Sequence, residues 1–159
     1  MTEMVDINVI IDEKYIEPKV DIYTRSETGQ VEAIITAIED AGRHAYPPVS
    51  VVKDGALSYI SQRDIYRIHT EGREVILDTA DHSYIVKGSI TRYENVLDSE
   101  RFFRISQSEI INLYKVDAFD FSIKGTASVT FDNAAVSWVS RRTIRPLRDK
   151  LKKSFGSDK

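Results

Sequence analysis

From Val49 onward, apolar and polar positions alternate in short runs broken by turn-forming residues. Val49-Ser50-Val51-Val52 precedes an Asp54-Gly55 turn signal and Leu57-Ser58-Tyr59-Ile60-Ser61 follows it, the pattern of a hairpin. Further strands are predicted over 65–69, ending at Glu71-Gly72, and over 74–77, 84–86, 114–121, 127–131 and 136–139. A short helix is expected from Thr91 to Leu97, with Ser89 as its cap. The last helix turns Ile144, Leu147 and Leu151 inward. Pro146 fits only a first helical turn, so the helix should begin near Thr143. Phe102, Phe103 and Trp138 are read as packing residues, and Asn112 as a turn cap or a partner for buried backbone.

The first 48 residues read differently. Val5, Ile7, Val9 and Ile11 alternate as in a strand, and Lys19-Val20-Asp21-Ile22-Tyr23 alternates again. Val31, Ile34, Ile35, Ile38 and Ala41 then fall at helical spacing. Gly42 is the expected stop, and Tyr46-Pro47-Pro48 a connector. The chain therefore divides into a small ββα unit (1–48), serving interaction or stabilisation, and a β-rich domain (49–159). The fold class is mostly β with α (α+β), an elongated multi-strand domain closed by a C-terminal helix.

Composition narrows the chemistry. With 159 residues, 42% of them hydrophobic, the chain can bury a core without staples. It has no Cys, which rules out disulfides and thiolate metal sites. The opening residues Met1-Thr2-Glu3-Met4 do not resemble a secretory leader, and no apolar run approaches the ~20 residues of a membrane span, so a cytoplasmic location is expected. His44, His69 and His82 are scattered, without metal-ligand spacing, and no nucleophile elbow or phosphate loop is present. Neither catalysis, nor a metal or cofactor, nor a small-molecule substrate is expected.

The net charge of −3 hides an asymmetry. Residues 1–54 hold eleven acids and five bases, whereas residues 55–159 hold fourteen acids and seventeen bases. From Arg141 to Lys153 seven bases face Asp149 alone. One edge suited to phosphate is the functional reading; a solvated helix face is the bland one.

Two segments carry a family resemblance. The first is Phe102-Phe103-Arg104, then Ser106-Gln107-Ser108, then Ile110-Ile111-Asn112-Leu113. The second is the apolar strand running into Ser140-Arg141-Arg142 before the terminal helix. In this order, with the strand pair from Asp64 to Leu77 upstream, they resemble the LytTR family of bacterial DNA-binding domains over roughly residues 49–153. The resemblance implies a sheet-built reader that inserts loops into successive major grooves of double-stranded DNA. Its contacts would come from Thr70-Glu71-Gly72-Arg73, from Ser106-Gln107-Ser108 and from Arg141-Arg142.

Arg73, Gln107 and Arg142 are then the base readers, since a guanidinium forks to guanine and a Gln amide matches adenine. Ser106, Ser108, Arg141, Arg145 and Lys152 are the backbone contacts. Many members carry His followed by Arg, Lys or Asn where this chain has Ser106-Gln107, which trades a charge for hydrogen bonding. Residues 1–48 are too short for the ~120-residue phosphoacceptor receiver of two-component members. The implied protein is a stand-alone, response-regulator-like transcription regulator, acting as a dimer or as two cooperating monomers on direct repeats. A small membrane-protein inhibitor is a further partner that the resemblance suggests. The alternative is a protein-interaction module whose basic C-terminal helix binds an acidic protein or membrane surface without DNA specificity.

Overall fold

A computed structural model describes residues 5–15, 18–44 and 46–155. Helix α1 (Gly29–His44) comes first, followed by strands β1 (Val49–Lys53), β2 (Ala56–Ile60), β3 (Arg67–Glu71), β4 (Glu74–Asp78) and β5 (Ser83–Val86). Helix α2 (Ile90–Val96) leads to β6 (Phe102–Ser106), β7 (Glu109–Asn112), β8 (Val116–Asp120), β9 (Ala127–Phe131), β10 (Val136–Val139) and helix α3 (Ile144–Phe155). All strand pairings are antiparallel. They build a central sheet in the order β5-β4-β3-β7-β6, a smaller sheet β10-β9-β8 and the hairpin β1-β2.

The central sheet is buried on both faces. Because side chains alternate along a strand, the neighbours Ile110 and Ile111 enter different cores. Ile110 joins Ile68, Leu77, Phe102 and α2's Ile90 and Tyr93, beneath the β1-β2 hairpin. Ile111 joins Ile105, Val129, Phe131 and Leu147, between the central sheet, the smaller sheet and α3. Asn112, fully buried, donates from Nδ2 to the Ile65 carbonyl at 2.8 Å and accepts from the Tyr114 amide at 3.0 Å. That second bond caps a 3₁₀ turn over Leu113–Lys115, so β8 starts at Val116 and not at Tyr114 as the apolar pattern suggests. Ser89 caps α2 as expected, accepting from the Arg92 amide at 3.2 Å.

Three further readings of the pattern do not hold. The two strands expected before α1 do not form among the described residues: Ile7, Val9, Ile11 and Tyr23 are exposed, with no neighbouring strand to take their backbone groups. Gly42 does not stop α1, which continues to His44. Trp138 is not core but 67% exposed. The parity of β10 turns Ser137 and Val139 inward, and Ser137 Oγ accepts from Arg67 Nη1 at 2.9 Å. The half-buried Arg67 guanidinium takes Ser137 as an acceptor on that face, a partner that hydrophobicity alone could not reveal.

That guanidinium belongs to a polar knot across β3, β4, β5 and β10. Asp78 accepts from Arg67 Nε at 2.7 Å and from Ser83 Oγ at 2.6 Å, and lies 3.0 Å from His69 Nε2. Burial pushes the Asp78 carboxyl up, but His69, Ser83 and Arg67 outweigh it and hold the group well below the usual carboxylate range. Beside the knot, at the same end of this strand pair, the Tyr66 hydroxyl hydrogen-bonds to Asp132, and this bond with burial pushes the phenol up to about 12.

A group whose pKa is depressed by folding stabilises the fold above its unfolded value and loses that contribution as pH falls. Denaturant titrations should therefore show the Asp78 contribution intact at pH 6 and eroding below about pH 4. Asp78→Ala should cost about 3 kcal/mol at pH 7, because Arg67 loses its short partner in a half-buried site. The difference between wild type and Asp78→Ala should shrink below pH 4; a constant difference would separate Asp78 from the acid response.

Candidate nucleic-acid interface

Two tight hairpins end side by side at one edge of the central sheet. In the first, Glu71 pairs with Glu74, leaving Gly72-Arg73 as the turn; Gly72 has φ +62°, a left-handed conformation that a Cβ disfavours. In the second, Ser106 pairs with Glu109, leaving Gln107-Ser108, with a register shift between Arg104 and Ser106. The Thr70 amide donates to the Ser108 carbonyl at 2.8 Å and ties the turns together. The Ser140 amide donates to the Ile105 carbonyl at 2.9 Å, which brings the start of the terminal helix to the same edge.

Arg73, Gln107, Ser108, Arg141, Arg142 and Arg145 are all exposed. Among the described residues no ion pair joins Arg73 to Glu71 or Glu74. Arg141 and Arg142 lie in a 3₁₀ turn (Arg141–Thr143) that leads into α3, and the Arg141 guanidinium lies over Gly125 of the β8–β9 loop. Ser106 Oγ accepts from the Ser108 amide at 3.2 Å and lies 3.3 Å from Ser108 Oγ, so part of its bonding shapes the turn. Lys152 is separated from this group. Eleven residues beyond Arg141, it sits about 16 Å along the helix axis, on a groove at the opposite end of the sheet.

Arg104 organises the site more than its sequence position suggested. Its Nε donates to the Ser106 carbonyl at 3.1 Å and its Nη2 to the Gln107 carbonyl at 2.6 Å. Nη1 reaches Glu94 Oε2 at 2.8 Å and Thr91 Oγ1 at 3.2 Å on α2. The guanidinium thus fastens the Gln107 turn to a helix, leaving the Gln107 side chain outward. The sequence allows Arg104 to be read as a structural ion-pair partner, and the Glu94 pair bears that out. The partners on α2 come from the fold. Among the described residues no cluster of His, Asp or Glu has the makings of a metal site, and no helix is long and apolar enough to cross a membrane.

The arrangement is that of an antiparallel β domain presenting two hairpin turns and a helix start on one cationic edge. The LytTr DNA-binding domain model matches residues 55–152, more than half of the chain, and the chain belongs to that family. Proteins from Staphylococcus aureus strains MSSA476 and MW2, each described as an uncharacterized HTH-type transcriptional regulator, are 24% identical over 148 residues, covering 93% of this chain and 99% of theirs. The solved structure of a LytTr DNA-binding domain from Bacillus cereus superposes with a TM-score of 0.62 at 17% identity, covering 65% of this chain and 95% of that one. It shares the fold. In this chain α2 and α3 are separated by five strands, so they do not form a helix–turn–helix pair.

Arg104→Ala should loosen the Gln107 turn without unfolding the sheet. Amide exchange at Gln107 and Ser108 is expected to rise about tenfold, equivalent to roughly 1.4 kcal/mol of local opening, while Ile110 and Ile111 stay protected. Equal acceleration throughout the sheet would make Arg104 a general stabiliser.

Proposed function

We propose that this protein is a sequence-specific, double-stranded-DNA-binding transcription regulator whose loops enter successive major grooves of paired direct repeats. The observation that carries the reading is the tie of three segments, the cationic Arg73 turn, the polar Gln107 turn and the cationic Arg141-Arg142 helix start, to one sheet edge by the Thr70–Ser108 and Ser140–Ile105 backbone bonds. Arg73, Gln107 and Arg142 read bases. Gln107 offers a donor and an acceptor to one adenine, and each Arg forks to guanine O6 and N7. Ser106, Ser108, Arg141 and Arg145 hold the phosphates that set register. Lys152, on the groove at the far end of α3, has no part in this contact. The regulator names carried by the Staphylococcus aureus relatives agree with this assignment.

The assay is fluorescence anisotropy on a randomised-duplex pool against its selected winners at two salt concentrations. Winners should bind at least about a thousandfold tighter than random duplex. Gln107→Ala and Arg142→Ala should each cost about 1–3 kcal/mol on the selected site and relax preference at one position. Arg145→Ala should weaken all duplexes alike and reduce the salt slope by about 1. Equal, steeply salt-dependent binding to every duplex would reduce the site to a basic patch.

A further inference from the structure

Two surfaces of this chain take no part in the DNA-reading edge, and they are complementary. The first is a groove of about 1200 Å³ at the opposite end of the central sheet, floored by Leu113, Phe119, Phe121 and Phe155. Its walls carry Arg63, Arg101, Lys115, Arg148 and Lys152 against a single acid, Asp64. The Arg148 guanidinium lies 4.5 Å from the Phe121 ring centroid, so cationic rim and aromatic floor are continuous.

The second surface is α1. Val31, Ile34, Ile35 and Ile38 form an i, i+3, i+4, i+7 stripe, the spacing by which an amphipathic helix seats in an apolar groove. Ile35 and Ile38 are 40% and 38% exposed, and α1 makes no extensive contact with any strand or other helix. Glu32 and Glu39, seven residues apart, flank the stripe on one side. A 16-residue helix is marginal in water by itself, so its apolar face requires a cover.

We infer that α1 of a second copy of this chain occupies the groove, its isoleucine stripe on the aromatic floor and Glu32 and Glu39 toward the basic rim. Three observations favour this occupant. The charges are opposite: the groove presents Lys115, Arg148 and Lys152, while α1 presents Glu32 and Glu39 beside its stripe. The chain's own α1 does not line its own groove. Its exit is anchored beside that groove, because Gln62 Nε2, flanked by the groove residues Ser61 and Arg63, donates to the Pro47 carbonyl at 2.9 Å. Each copy therefore presents a donor helix and an acceptor groove, a directional contact that can close reciprocally or run head to tail. The groove lies at the opposite end of the central sheet from the reading turns at Arg73 and Gln107. The inference does not rest on the DNA reading, and its test uses no DNA.

The experiment is sedimentation of the full-length chain from 1 to 100 µM, alone and in mixtures. Ile35→Asp/Ile38→Asp spoils the donor and Phe121→Glu the acceptor. Lys115→Glu/Arg148→Glu is a second acceptor variant that leaves the aromatic floor intact. The wild type should associate, and each variant alone should do so at least tenfold more weakly. An equimolar mixture of donor-defective and acceptor-defective chains should recover association, since one intact helix then meets one intact groove. Adding Glu32→Lys/Glu39→Lys to Lys115→Glu/Arg148→Glu should restore binding within one chain. A monomeric wild type would overturn the inference. So would acceptor variants that associate like wild type, which would mean that the N-terminal segments pair with each other instead.

Discussion

Asn112 sits where the whole arrangement is decided. It is completely buried at the end of β7, and both polar atoms of its amide are engaged, one by the Ile65 carbonyl and the other by the Tyr114 amide. A buried amide left unpaired costs about 1–3 kcal/mol, so β7 has one acceptable register against the chain entering β3. Once that register holds, Ile110 and Ile111 fall into their separate cores, and the turns that close β3–β4 and β6–β7 arrive at the same edge. A slip of one residue would reverse every side chain and bury neither set correctly.

The division of labour across the sheet follows from this geometry. One end carries hairpin turns too short to move independently, tied by backbone bonds and by the Arg104 guanidinium. Such a site is preorganised, so little ordering entropy is lost when a ligand is bound. The other end carries an open aromatic groove with a cationic rim. Helix α3 connects the two, with Arg141 and Arg142 before its start and Arg148, Leu151 and Lys152 on the groove. The basic run that looks uniform in sequence is thus divided between two surfaces.

Electrostatics within the domain are handled by hydrogen bonding. Arg67, Asp78, His69 and Ser83 keep a carboxylate charged in a half-buried setting, and Ser137 completes the Arg67 shell from the smaller sheet. This knot joins the two sheets through polar contacts beside an apolar core. It also explains why Ser137, and not Trp138, faces inward on β10.

Much of the domain was legible from local pattern. The strands at 127–131 and 136–139, the Ser89 cap, the late start of the last helix and the order of the two signature segments all depend on short-range chemistry. Alternation, capping and the absent proline N–H act within a few residues, so a linear reading reaches them. The parity of β10, the anchoring of Arg104 to Glu94, the separation of Lys152 from Arg142 and the uncovered state of residues 5–15 and 18–23 depend on what lies across the fold. Val5 to Ile11 alternate as a strand does, yet alternation specifies only a face. Whether a partner strand or core is present to take it is decided in three dimensions, where backbone groups must find partners and apolar faces must find each other.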